Sequence, residues 1–305
     1  MHGRIDDSTA AGRGIALMIA GVFTVSVMDA VIKWLSAGFP SIQIIFFRAG
    51  FGLIPLLVIV ALTGGLTVLR TRRWRAHLAR ATVGTGAMLC FFFALAKLEL
   101  AEVVTLAFAS PLFAAALSVP ILGEKVGIRR LSAILVGFVG VVIIVRPGSD
   151  VFSPYAILPI AASFCFALGM VLARRMSDTE SSVSIVFYTS VAALIVGAIG
   201  STGVWITPQP GDWPVLVALG VLGGVGQFLM TSAFRFAAAA IIAPFEYSAM
   251  LWAVLFGALF WGEMPDAMTF AGGALVAAAG LYIGYRETRP KAKEGSGKAP
   301  EPSSV

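Results

Sequence analysis

Ten stretches of about 20 mostly apolar residues follow one another along the chain, near 14–36, 41–64, 81–97, 101–121, 131–147, 154–173, 183–205, 213–234, 238–261 and 267–285. A helix of that length rises about 30 Å, enough to cross the hydrocarbon core of a bilayer. Unpaired backbone groups are too costly there for anything but helices or closed barrels. The connections are short and leave no room for a separate soluble domain. Only 12% of the residues are charged, about half the usual share in soluble proteins. The expectation is an all-α integral membrane protein of about ten transmembrane helices. The first run exceeds 20 residues and nine follow it, so it reads as a retained span and not as a cleaved leader.

Basic residues set the orientation. If the N-terminus is cytoplasmic, Arg70, Arg72, Arg73, Arg75, Arg80, Lys125, Arg129, Arg130, Arg174, Arg175 and Arg235 all fall on the inner side. The outer side keeps only Lys97 and Arg146. By the positive-inside rule both termini are then cytoplasmic, with the protein in the cell inner membrane. The net charge of +6 is a by-product of this topology, and no nucleic-acid partner is implied. Residues 1–13 are polar, and the tail 286–305 is rich in Lys, Glu, Pro and Ser and is expected to be disordered and cytoplasmic.

The chain repeats itself. "ILGEKVGIRRLSAILVGFVGVVII" from Ile121 and "FWGEMPDAMTFAGGALVAAAGLYI" from Phe260 share a plan: an apolar helix ending in Gly-Glu, a polar turn, then a Gly-rich helix. Two five-span halves, 14–150 and 151–285, follow. An odd number of spans inverts the second half, the architecture of many secondary transporters.

Four segments carry a resemblance to a known family. They are "IQIIFFRAGFGLIPLL" with Arg48, "LAFASPLFAAALSVPILGEKVG", "GFVGVVIIVRPG" and "FEYSAMLWAVLFGALFWGEMPD". In order and spacing they resemble the second, fourth, fifth and ninth helices of the EamA-type branch of the drug/metabolite transporter superfamily. The resemblance implies ten helices, inner termini, alternating access and a central cavity lined chiefly by helices 1, 3, 4, 6, 8 and 9. Within the family, the second and fourth segments look most like bacterial importers of riboflavin and of S-adenosylmethionine. Riboflavin uptake is the leading expectation, because aromatic residues outnumber charges on the cavity helices. Import of S-adenosylmethionine and export of aromatic amino acids or drug-like metabolites are the alternatives.

Few charges fall well inside the spans: Asp29, Lys33, Arg48 and Glu246, with Glu102 nearer an end. Each is costly against lipid and marks a candidate functional position. Glu246 lies near mid-bilayer, two residues after Pro244, which removes a backbone donor and frees a carbonyl one turn earlier. A substrate contact or a coupling proton is expected there, against a structural ion pair to another helix. Asp29 and Lys33 are four apart on one helical face and can pair. Arg48 is expected to tie the second helix to a carboxylate such as Asp29, in a structural or gating role. Glu124 and Glu263 end the fourth and ninth helices, where the macrodipole disfavours a carboxylate, so each should have a specific partner and a fold or gate role.

Pro111, beside Ser110, gives the fourth helix a break point as Pro244 does the ninth, and both prolines are candidate bending elements. Phe92, Tyr247 and Trp252 join Glu246, Asp29, Lys33 and Ser110 as candidates for substrate binding or coupling. Small residues four apart at Gly220/Gly224 and Gly280/Gly284 predict close helix contacts.

Cys90 and Cys165 both fall in spans and read as packing residues. His2 and His77, the only two histidines, lie outside the expected spans, which removes a histidine-rich metal site and a Ser–His dyad. No H-E-x-x-H and no phosphate-binding glycine loop occurs. The expectation is therefore a non-enzyme without cofactor or metal. Its partners are a small-molecule substrate and the lipid bilayer, and a monomer is expected.

Overall fold

The computed structural model describes residues 3–63, 65–123, 127–149, 152–176, 179–234, 236 and 239–288. Glu124 and the tail from 289 onward lie outside the described residues. Among the described residues there are twelve α-helices: α1 (Gly3–Leu35), α2 (Ser41–Thr63), α3 (Trp74–Leu95), α4 (Leu100–Ala107), α5 (Ser110–Leu122), α6 (Ile128–Val145), α7 (Ile157–Met176), α8 (Ser182–Ser201), α9 (Trp213–Ala233), α10 (Ala239–Ile242), α11 (Ser248–Trp261) and α12 (Ala267–Thr288). The fourth span is α4 plus α5, and the ninth is α10, a 3₁₀ segment Ala243–Tyr247 and α11. The ten spans are thus all helical, two of them broken. Several of their limits differ from the sequence reading, most of all the first, which begins at Gly3 and carries helix through the expected polar N-terminal segment. The third starts at Trp74, which draws His77 and Arg80 into a helix; the seventh stops at Ser201; and α12 runs on to Thr288.

Both breaks sit at the same register. α5 and α11 end on Gly123 and Gly262, whose φ of 72° and 67° is the left-handed conformation that glycine adopts without steric cost. Counting back fifteen residues from these glycines reaches Phe108, which caps α4, and Tyr247, which ends the 3₁₀ segment. The prolines are therefore not the break points themselves. Pro111 opens α5 and Pro244 opens the 3₁₀ segment, each in a first turn where a missing N–H costs nothing.

Helix pairing obeys the exchange of each span with the one five later. α1 packs on α9 and α3 on α7; α2 packs on α9 and α8 on α3; α11 lies against α1 and α5 against α7. α2 against α8 and α6 against α12 are pairs that map onto themselves. Glycines allow the closest crossings. A methyl group at Gly140 would meet the Gly272 carbonyl oxygen at 2.7 Å, and one at Gly226 would meet Val25 Cγ2 at 2.7 Å. Gly220 abuts Phe51, and Gly224 faces Pro55 at 3.2 Å, so the expected contact of these glycines is with α2. Gly280 faces the Tyr247 hydroxyl, whereas Gly284 faces open space and makes no close contact, contrary to expectation. Large apolar side chains such as Ile54, Leu135, Ile199, Leu251 and Leu259 are exposed, as a lipid-facing surface requires.

For orientation, the face on which α1 begins is called the N-face. On the far face the Gln43 amide donates to the Ile206 carbonyl (2.6 Å) and accepts from the Ile206 N–H (3.0 Å). On the N-face the Tyr188 hydroxyl donates to Leu69 O (2.8 Å). Each clasp ties a second helix of one half to the loop between the second and third helices of the other. Gln43 is fully buried. Gln43→Ala should therefore remove both hydrogen bonds to the Ile206 backbone, at a net cost of about 1–3 kcal/mol. A drop of several degrees in the melting temperature of the detergent-purified protein would register it; an unchanged melting temperature would mean that water replaces the amide.

Candidate functional site

Spans 1, 8, 3, 6, 4 and 9 follow one another around a ring. α1 adjoins α9, α3 adjoins α7, α7 adjoins α5, and α4 adjoins α11, which returns to α1. α2 and α8 close the gap between α9 and α3, while α6 and α12 buttress the broken spans from outside.

Where the fourth and ninth spans adjoin, the two breaks meet. The rings of Phe108 and Tyr247 stack with centroids 4.6 Å apart and an interplanar angle of 24°. Because the two residues are register mates, the stack lies where the halves exchange. Ser110 and Pro111 begin the helix just beyond Phe108. Glu246 directly precedes Tyr247 on the 3₁₀ segment and has no hydrogen-bond or ion-pair partner among the described residues. Its register mate is Ala107, so the carboxylate exists in one half only. A largely apolar groove of about 460 Å³ runs between α4, the 3₁₀ segment, α11 and α12; Tyr247 and Ser248 line it, and Glu246 does not. Trp252 packs edge-on against Phe23 of α1 at 4.9 Å, and its buried indole N–H has no acceptor.

The far face is tied shut. Lys33 Nζ lies 2.5 Å from Glu263 Oε1 and donates to Leu98 O at 2.7 Å. Glu263 also accepts the Leu100 N–H at 3.0 Å, at the free N-terminus of α4. One carboxylate thereby joins the ends of α1, α4 and α11. Lys33 is thus paired with Glu263, and the expected Asp29–Lys33 pair does not form. A local i, i+4 pairing loses here to a partner 230 positions away that also supplies a helix end. Nearby, Arg146 binds Asp266 through both Nη atoms at 2.6 Å. That bond, with the N–H and hydroxyl of Thr269, holds the Asp266 carboxyl well below its usual range, at about 2. A depressed carboxylate contributes stability that is lost only as pH falls through the folded value, so this tie survives any physiological acidity.

Deeper in the ring, Asp29 is buried and within electrostatic reach of Arg48, but no ion pair or hydrogen bond joins the two among the described residues. Arg48 donates to Met88 Sδ at 3.1 Å, sits over the Phe92 ring at 5.8 Å and lies beside Gly223. It thus links α1, α2, α3 and α9. Phe92 is buried in this junction, and its proposed substrate contact would have to come through Arg48.

The N-face is different. The register mate of the α4–α11 contact would be α10 and the 3₁₀ segment against α5, and among the described residues α5 packs instead on α7, α6 and α12. The third and sixth spans are held there by Glu180, which takes hydrogen bonds from His77 (3.0 Å) and Thr71 (2.9 Å). Burial opposes the Glu180 charge, but these hydrogen bonds outweigh it and hold the carboxyl below its usual range. His77 was missed by the sequence reading because the arginine run before it looks like loop.

A ten-span inverted repeat, with two broken helices stacked against each other, far-face helix ends tied by ion pairs and a carboxylate beside the break that has no partner among the described residues, is the build of a membrane transporter. The chain belongs to the EamA-like transporter family, which it matches over residues 12–146 and 153–285. It is 32% identical to the pseudopaline exporter CntI of Pseudomonas aeruginosa, covering 88% of this chain and 95% of that one. It is 28% identical to the S-adenosylmethionine uptake transporter of Rickettsia bellii (92% and 96% covered) and 28% identical to the riboflavin transporter of Brucella anthropi (87% and 96%). A solved crystal structure that shares 20% identity superposes with a TM-score of 0.60, covering 92% of this chain and 99% of that one, and shares the fold.

Proposed function

We propose that the chain is a secondary transporter of the cell inner membrane, with both termini cytoplasmic, that moves a small metabolite by alternating access. Glu246 carries the reading: it is a carboxylate without a partner among the described residues, beside the break in the ninth span. A charge so placed needs a reason to be kept, and a cationic substrate group or a proton is that reason. With the N-face cytoplasmic, the arrangement is closed outward and opens inward.

Two substrate readings follow from different observations. Riboflavin uptake is supported by the aromatic groups, the Phe108–Tyr247 stack and the Phe23–Trp252 pair, which suit a flat neutral ring system. A substrate with an amino group, of the kind the S-adenosylmethionine relative takes up, is supported by Glu246 itself, and the geometry favours it. Glu246→Gln should keep the protein inserted and folded while lowering transport about tenfold or flattening its pH dependence. Uptake of labelled S-adenosylmethionine and of labelled riboflavin into proteoliposomes, from pH 5.5 to 8, decides the matter. Equal transport by wild type and variant at every pH would reduce Glu246 to a structural residue.

A further inference from the structure

Two arginines of the first half, Arg48 and Arg80, lie among the ring helices, and among the described residues only Arg48 has a carboxylate within electrostatic reach. Arg48 and Thr189 stand at the same register, seven residues after the first residue of α2 and of α8. Gly223 and Gly84 are likewise mates, ten residues after the tryptophans that open α9 and α3. At Gly223 a methyl group would lie 3.6 Å from the Arg48 guanidinium, and at Gly84 it would meet Thr189 Cγ2 at 2.9 Å. Threonine thus replaces arginine in the second half, but the space is not left without a cation. Arg80 of α3 reaches it: its Nη1 lies 2.5 Å from a methyl group built at Gly84, and its Cζ 3.3 Å from one built at Gly169 of α7.

The surroundings of the two arginines then diverge. Arg48 has Asp29. The register mate of Asp29, twelve residues before the following helix, is Met170, which is 51% exposed. Arg80 has no carboxylate and no hydrogen-bond partner among the described residues, and its Nε is buried without an acceptor. It stands six residues into α3 and Glu246 seven residues past Ala239, each therefore ~10 Å along a helix that starts on the N-face. The third and ninth spans lie on opposite sides of the ring. One uncompensated cation and one uncompensated anion thus share a level of the N-face half.

We propose that Arg80 binds a substrate carboxylate, opposite Glu246 for a substrate ammonium group, so that the transported class is a zwitterionic, amino-acid-like metabolite. This rests on the transporter reading above and deepens it. A guanidinium can take a carboxylate with two parallel hydrogen bonds, and each charge of the substrate then has a fixed partner of opposite sign.

The test compares acids with their decarboxylated amines on the full chain purified in detergent, by thermal shift: S-adenosylmethionine against decarboxylated S-adenosylmethionine, tryptophan against tryptamine, and riboflavin as a probe lacking both groups. The zwitterion should bind about tenfold or more tighter than its amine. Arg80→Met should erase that preference, and Arg80→Lys should keep part of it. The preference is a ratio within each variant, so a general loss of stability does not imitate it. An acid-to-amine ratio unchanged in Arg80→Met overturns the proposal, as does riboflavin stabilising wild type and Arg80→Met alike while no zwitterion binds. Counterflow of the same probes in proteoliposomes separates the two readings. Flux without the Arg80 preference leaves a transporter with another substrate class, whereas the preference without flux leaves the carboxylate site and removes the transporter.

Discussion

Replacing Lys33 by methionine should strand Glu263 at the sealed face with no cation. The ion pair is mostly buried, with side chains 9% and 19% exposed, and breaking such a pair from one side costs about 3–5 kcal/mol. Part of that loss can be avoided if α11 pulls away and lets Glu263 reach water, which also releases the Leu100 N–H from its acceptor. The single variant should therefore both destabilise the protein and shift it toward opening on the far face. A cysteine introduced at Leu98, which is buried in the closed arrangement, should become reactive to a membrane-impermeant thiol reagent at least several-fold faster. The double variant Lys33→Met/Glu263→Met should recover most of the stability, because two apolar groups of similar volume replace the pair. If the double variant is no better than the single one, the pair is not the latch described above.

A second large effect is expected where the breaks meet. Gly280 lies directly under the Tyr247 hydroxyl, with the ring carbon beneath it 3.1 Å from a methyl group built there. Gly280→Val should displace Tyr247 from its stack on Phe108, overpack the junction by about 1–3 kcal/mol or more and reduce transport by over roughly tenfold. The smaller change Gly280→Ala should do part of this. Adding Tyr247→Phe should restore the alanine variant substantially, since the clashing hydroxyl has gone. Transport of the probe substrate and melting temperature, measured together, separate a shifted break from a general loss of fold. Full transport in Gly280→Val would show that the stack plays no part in moving the substrate.

The sequence was most readable where it was most redundant. Ten apolar runs, two Gly-Glu helix ends and a proline near each break placed the spans and the repeat, because hydrophobic length and glycine capping act within one segment. Glu246 was legible for the same reason, being a lone carboxylate in an apolar run. What was not legible depended on distant parts. Asp29 looked like the natural partner of Lys33 at one helical turn, and only the packing of α1 against α11 reveals Glu263. Arg80 and His77 vanished into an arginine-rich stretch that reads as loop, since charge alone does not say that a helix has already begun. The Phe108–Tyr247 contact could have been found: both lie fifteen residues before the capping glycine. The prolines are not mates, and their spacing masks that register.

The pairing of Glu246 with Ala107 across the repeat has a bearing on energetics. A carrier with a glutamate at both breaks would present two titratable positions to the passing substrate and could exchange two protons per cycle. Here duplication doubled the hinge and left the charge single. If Glu246 couples transport to a proton gradient, the stoichiometry at the breaks is one proton per turnover, which bounds the accumulation at a single power of the gradient.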